Sequence, residues 1–413
     1  MIHLENVEQA LHHLRKITAP GEGINRLAFS DADWKGRDYL MSLMQEAGLT
    51  LRIDPFGNVI GHYPGRDETL PAVMCGSHGD SVPEGGNYDG IYGILTAIET
   101  VRSMKEDHFV PDHPIEVVLF MCEESSRFGA ATLGSRAMRG ELSDNDLDTL
   151  KDKEGHSLRE VLNSRHLHPE LLKEAIYKKP LKAFLETHIE QGKVLEHEKK
   201  KIGVVTGIAA PTRFKVFFHG SADHSGATPM TMRCDGLCAA APVISKLEEM
   251  ATHETLAPVV GTVGILDVTP DVMNVIPGEI TMGIDIRSIS QEAKEKVSQN
   301  LISYIDTVAK ARHIPYDIQP ISMEKPAVMH PAMIHIISHV AEKLGYPYLK
   351  MPSGAGHDTM HWADYTPSGM IFIPCRNGIS HNLLEYAAPE DILAGINVFS
   401  QVIRTLASRE CKL

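Results

Sequence analysis

Two continuous apolar runs, AVMCGSH at 72–78 and IEVVLFMCEE at 115–124, bracket YGILTAIETVRSMKE, whose apolar residues recur at helical spacing. Runs of this kind, without alternation, suit strands covered on both faces of a sheet. Residues 72–124 therefore read as a strand–helix–strand unit of an α/β domain. Polar residues collect where each run ends, and the carboxyl ends of sheet strands are where α/β enzymes place their sites.

The character of the chain changes near residue 211. TRFKVFFHGS alternates apolar and polar residues, GLCAAAPVISKLEEM reads as a helix, and VVGTVGILDV and EITMGIDIRS read as strands. QEAKEKVSQNLISYIDTVAKAR is a long amphipathic helix, and YDIQPIS near 316–322 closes the series. Strand–helix–strand–strand–helix–strand is the order of a ferredoxin-like α/β sandwich. After Pro326 the doubly covered pattern resumes, with a helix near 333–344, the strand GMIFIPC at 369–375 and a final helix near 389–407. The expected organisation is one catalytic α/β domain, residues 1–208 and 326–413, with a smaller domain inserted at 209–325.

Composition limits what such a chain binds. A formal net charge of −14 with no basic stretch longer than HEKKKIG at 197–203, a solvated turn between strands, argues against nucleic acid. No apolar run is long enough to span a bilayer. The N-terminal segment reads as an amphipathic surface helix and lacks the apolar core of a signal peptide. Six cysteines, none in a CxxC pair, fit the reduced thiols of a cytoplasmic protein.

Four strand-end motifs carry metal-ligand chemistry. GSHGDSVPEGGNYDG (76–90) supplies His78, Asp80 and Asp89, and CEESSRFG (122–129) supplies Glu123 and Glu124. LETHIEQG (185–192) supplies His188, and NGISHN (377–382) supplies His381. Adjacent carboxylates at a buried strand end repel and require a cation or a raised pKa. Histidines and carboxylates together form a donor set suited to zinc, manganese or cobalt. The alternative for Asp89 is a helix N-cap in a surface turn.

GSHGDSV, GGNYDG, EESSRFG, THIEQG, ADHSGATPM, NVIPGEI, SGAGHD and GISHN run in this order from 76 to 382. In these motifs the chain resembles the hydantoinase/carbamoylase group of dinuclear metallo-amidohydrolases, within the aminoacylase/carboxypeptidase-like superfamily. That group includes N-carbamoyl-L-amino acid hydrolases, yeast-type β-ureidopropionase and allantoate amidohydrolase. The resemblance implies a mixed-sheet, zinc-peptidase-like catalytic domain carrying an inserted ferredoxin-like lid and dimerisation domain. It implies two divalent ions, Zn2+, Mn2+ or Co2+, one held by His78, Asp89 and His188 and the other by Asp89, Glu124 and His381. By the same likeness Asp80 orients His78, Glu123 is the general base, and His224 donates to the oxyanion. Gln191, Arg213, Asn274, Arg287 and His357 match substrate-contacting positions, with Arg287 on the α-carboxylate. The resemblance further implies a homodimer in which His224, Asn274 and Arg287 act in the partner's site.

The implied reaction is cleavage of the ureido C–N bond of an N-carbamoyl-L-amino acid or related ureido acid. Allantoate hydrolysis is the sister reading. An N-acyl deacylase or dipeptidase fits less well, because His188 stands where many such relatives have a carboxylate. A non-catalytic binding protein would be expected to have lost a ligand or the base, and none is lost. A cysteine-nucleophile amidase would use Cys122. Three positions depart from the group: Gly79 replaces a bulky apolar residue, Thr212 stands where Gln is common, and Ser125 stands where a third acidic residue is common.

Overall fold

The structure, a computed structural model, describes residues 2–413. Six strands open the chain: β1 (Thr50–Ile53), β2 (Val59–Tyr63), β3 (Ala72–His78), β4 (Ile115–Phe120), β5 (Leu181–Ile189) and β6 (Ile202–Ile208). Four follow in the middle: β7 (Ala210–His219), β8 (Val259–Thr269), β9 (Glu279–Ser288) and β10 (Tyr316–Met323). The last are β11 (Ala327–Val328), β12 (Tyr348–Ser353) and β13 (Ser368–Ile373). Two compact units result: the chain up to Thr206 together with Val328–Leu413, and Gly207–Ala327.

The larger unit is built on a mixed nine-stranded sheet that runs β1-β2-β4-β3-β5-β13-β6, with β11 and β12 both paired to β6. Its centre, β4-β3-β5-β13, is parallel. The flanking pairs β2–β4 and β13–β6 are antiparallel. Every residue of β3, β4 and β13 is buried, as continuous apolar runs require. The helix Ile91–Glu106, joining β3 to β4, is itself buried along most of its length and packs with Leu4–Leu14 and Pro389–Leu406. The N-terminal helix buries only Val7, Ala10, Leu11 and Leu14, the face its spacing predicts.

The strand expected over 115–124 is shorter: β4 ends at Phe120. Cys122 has a positive φ of 56°, which turns the chain out of the ladder. The freed amide of Met121 donates to Asn58 Oδ1 at 2.9 Å, so the departure leaves no buried donor orphaned. The basic stretch near 197–203 is a turn preceded by a single helical turn, Val194–His197.

The smaller unit is an antiparallel sheet of order β10-β7-β9-β8, the strand order of a ferredoxin-like sandwich. Along β9 burial alternates strictly, and Ile280, Met282, Ile284 and Ile286 join the core formed with the helices Gly236–Thr252 and Gln291–Arg312. No helix among the described residues is long and apolar enough to cross a membrane.

Candidate metal centre

His78 closes β3 and His188 lies one residue from the end of β5, while Glu123–Glu124 follow β4 and His381 follows β13. All four segments thus leave the carboxyl edge of the parallel part of the sheet. Asp89 precedes the helix Ile91–Glu106, whose N-cap is Gly90 and carries no side-chain cap, so Asp89 is not the capping residue. Gly90 has a φ of 65°, and a Cβ there would stand 2.5 Å from the His78 ring. Glycine at this position lets the turn close over the imidazole.

Asp89 is the centre of the arrangement. Its Oδ1 lies 3.3 Å from His78 Nε2 and 3.1 Å from His188 Nε2. Its Oδ2 lies 3.2 Å from His381 Nε2, which is in turn 3.4 Å from Glu124 Oε1. Two donor groups, His78–Asp89–His188 and Asp89–Glu124–His381, each gather within 4.8 Å and share Asp89. Both inner histidines are oriented to coordinate through Nε2. His78 Nδ1 donates to the Asp80 carbonyl at 3.1 Å, and His188 Nδ1 donates to the Ile189 carbonyl at 2.9 Å. A mixed imidazole and carboxylate set of this kind fits a divalent transition metal at either group.

The electrostatics call for such a cation. Burial works against the charge of Asp89, yet His188, His381 and His78 hold its carboxyl well below the usual carboxylate range. Burial pushes Glu123 well up and raises Glu124 to about 7, with the Asp89 charge adding to the latter shift. The contact with Asp89 raises His381 to about 9. Without a cation Glu123 and Glu124 tend to keep their protons, while Asp89 stays ionised against the histidines.

Asp80 does more than the sequence implied, and by a different route. Its carboxylate stands 3.6 Å from His78 Nδ1 and instead accepts the backbone N–H groups of Glu123 and Glu124 at 3.2 and 3.1 Å. The side chain thus fixes the loop that carries both glutamates, while its carbonyl fixes the His78 tautomer. Glu123 Oε2 lies 3.9 Å from His78 Nε2, so the carboxylate sits beside the donor groups without belonging to either.

Gln191 Nε2 donates to Asp89 Oδ2 at 2.7 Å, and its φ of 57° turns the chain there. His357 meets the His188 ring edge-on at 4.6 Å, and burial pushes its imidazole well below the ordinary value, so it is neutral. The space in front of Gly79 is occupied by Leu40 and Leu119, whose methyls lie 3.4 and 3.1 Å from where its Cβ would stand. Cys122 is fully buried, and burial raises its thiol well above the ordinary value, which disfavours a nucleophilic role.

The other four sequence-predicted residues belong to the smaller unit and form two pairs there. The loops of His224 and Asn274 are tied by the Ser225 N–H, which donates to the Asn274 carbonyl at 3.0 Å, and by a bridge between His224 and Val275. His224 Nδ1 accepts from the N–H groups of Gly226 and Ala227, both at 3.1 Å, which leaves Nε2 as the protonated nitrogen. Arg213 and Arg287 share Asp285, at 2.8 Å from Arg213 Nε and 3.0 Å from Arg287 Nε. Sequence reasoning missed Asp285. The signal was present: residues two apart on a strand share a face, and Asp285 precedes Arg287 in DIR.

Residues 74–405 match the model of peptidase family M20/M25/M40. The chain belongs to this family. It is a hydrolase of amide C–N bonds and, within the family, an amidohydrolase. It is 38% identical to an N-carbamoyl-L-amino acid amidohydrolase of Geobacillus stearothermophilus over 99% of this chain and 100% of that one. It is also 38% identical to a ureidoglycolate hydrolase of Arabidopsis thaliana, over 94% of this chain and 83% of that one. A hydantoinase/carbamoylase family amidase of Burkholderia multivorans superposes with a TM-score of 0.91 at 35% identity, with 98% of each chain covered. The M20 assignment accounts for the mixed sheet and for donor groups gathered at its carboxyl edge.

Proposed function

We propose that this M20 amidohydrolase cleaves the ureido C–N bond of N-carbamoyl-L-amino acids, releasing the amino acid, carbon dioxide and ammonia. The observation that carries the reading is Asp89, whose two carboxylate oxygens each face a separate donor group beside Glu123. Two divalent ions, zinc, manganese or cobalt, would be held by His78, Asp89 and His188 and by Asp89, Glu124 and His381. Bound there, such ions polarise the ureido carbonyl and acidify water.

The chain's own groups supply the rest. Glu123 takes the proton from the attacking water and returns it to the leaving nitrogen. Its position beside both donor groups, 3.9 Å from His78 Nε2, suits both halves of that transfer. His224, with Nε2–H outward, donates to the oxyanion. Asp285 holds the guanidinium of Arg287 through two hydrogen bonds, and Arg287 with Arg213 receives the substrate α-carboxylate. Gln191, Asn274 and His357 complete the polar contacts.

The enzyme acts as a cytoplasmic homodimer, with His224, Asn274 and Arg287 serving the partner's site. The edge strand β8 supports self-association, because it exposes Val260, Ile265 and Leu266 along an unpaired edge. Relatives named for ureidoglycolate favour a second reading, in which the acid carries a hydroxyl in place of an amino acid side chain; allantoate is a third. All three substrates present a carboxylate and a ureido group. Arg287→Ala is expected to raise KM for carboxylate-bearing ureido substrates by roughly 10–100-fold, about the 1.5–3 kcal/mol of a charged hydrogen bond. Steady-state kinetics with an N-carbamoyl amino acid and its amide would measure this. An unchanged KM ratio between the two would mean that the carboxylate is held elsewhere.

A further inference from the structure

Glu385 lies in the loop after His381, is 6% exposed, and has no part in either donor group. Its carboxylate nevertheless reaches across to the segment that carries Asp89. Oε1 accepts the backbone N–H groups of Tyr88 and Asp89 at 2.8 and 3.1 Å. Oε2 lies 2.9 Å from the hydroxyl of Ser380, which is also 3.0 Å from Asp89 Oδ2. One side chain therefore pins two segments almost 300 residues apart in sequence. One of these segments carries Asp89, and the other carries His381. The Tyr88 and Tyr386 rings pack edge to face at 5.9 Å and close the same junction.

Gly86 belongs to this arrangement. A Cβ at that position would stand 2.1 Å from the Glu385 carboxyl carbon, so the carboxylate occupies the space a side chain would need. Gly86 is thus required by the carboxylate laid against it. The partly buried N–H of Tyr88 and the buried N–H of Asp89 both point at this acceptor, so its loss leaves two donors to be satisfied at the turn.

We infer that Glu385 is a positioning residue for the donor group Asp89–Glu124–His381, setting the distance between Asp89 and His381 so that this group takes an ion. The inference rests on the two-ion reading above. Glu385 braces both Asp89 and His381, whereas of the group His78–Asp89–His188 it braces Asp89 alone. Losing it therefore weakens one ion far more than the other. The role is geometric, so a glutamine serves as well: its carbonyl oxygen accepts from Tyr88 and Asp89, and its amide donates to Ser380, which then donates to Asp89.

Calorimetric titration of chelator-stripped protein with Mn2+ or Zn2+, with metal content checked by elemental analysis, tests this. Wild type and Glu385→Gln should bind two ions per chain. In Glu385→Ala the affinity for one of the two should fall by roughly 10–100-fold, the usual effect of losing a partner that supports a ligand. The other ion, which shares only Asp89, should lose much less. Gly86→Ala, which displaces the carboxylate while keeping it, should behave like Glu385→Ala. Two ions bound to Glu385→Ala with unchanged affinity would overturn the inference. So would equal loss in Glu385→Gln, which would make the charge the important property. Wild-type protein that takes only one ion would refute the two-ion reading itself, and the first titration shows this before any variant is compared.

Discussion

Glu123→Gln is expected to lower kcat for ureido substrates by roughly 10²–10⁴-fold, the range of a single general acid–base group, with both metal sites still filled. Glutamine keeps the shape and the backbone contacts. The N–H of residue 123 still reaches Asp80 Oδ1, and its carbonyl still accepts from Thr132 at 2.6 Å. What disappears is the carboxylate proposed to accept and return a proton. Neither donor group includes Glu123, so metal content should equal that of wild type. The check is a comparison of kcat and KM beside elemental analysis: near wild-type turnover with full metal content would remove Glu123 from the role.

Metal removal should have the larger effect. Exhaustive chelation is expected to abolish turnover, and a divalent transition metal should restore it. Binding also stabilises the fold: an ion at a hundred times its Kd adds about 2.7 kcal/mol, visible as a rise in Tm. The pH dependence has a definite sign. Glu124 titrates at about 7 and His381 at about 9 in the metal-free protein. Below these values both groups hold protons that an ion must displace. Affinity should therefore rise as pH increases from 6 toward 9, by up to tenfold per unit for each proton released. Competition against a chelator across this range would measure it, and pH-independent affinity would show that these two groups are not displaced by the ion. Full activity of metal-free protein would sink the mechanism.

Both outcomes depend on residues that the sequence marked, and the reason is physical. Parallel strands covered on both faces appear as unbroken apolar runs, so the ends of β3 and β5 could be read directly, and with them His78 and His188, while the run through β4 pointed to Glu123 and Glu124 at its polar end. Where β4 itself stops could not be read. Four further apolar and acidic residues, Met121 to Glu124, continue the pattern past Phe120, but the left-handed turn at Cys122 and the Asp80 carboxylate pull them off the ladder. Glu385 and Asp285 escaped for different reasons. Glu385 clamps a segment distant in sequence from a loop, where no periodicity reports such a partner, whereas Asp285 shares a strand face with Arg287 and the period-two pattern that marks it was passed over. For the Asp80 side chain the resemblance implied a role on the His78 ring, which lies 3.6 Å away, and the hydrogen bonds its oxygens accept from the Glu123 and Glu124 amides had no signal in the sequence.

The most direct test of ureido hydrolysis at this centre is ammonia release by the metal-loaded enzyme. It would be supplied in parallel with N-carbamoyl-L-amino acids, ureidoglycolate, allantoate and N-acetyl-L-amino acids, with hydrolysis of the last followed by free amine. Ammonia should appear from ureido acids, fastest from an N-carbamoyl-L-amino acid, and N-acetyl compounds should be turned over poorly or not at all. Hydrolysis of an N-acetyl amino acid faster than every ureido substrate would contradict the assignment.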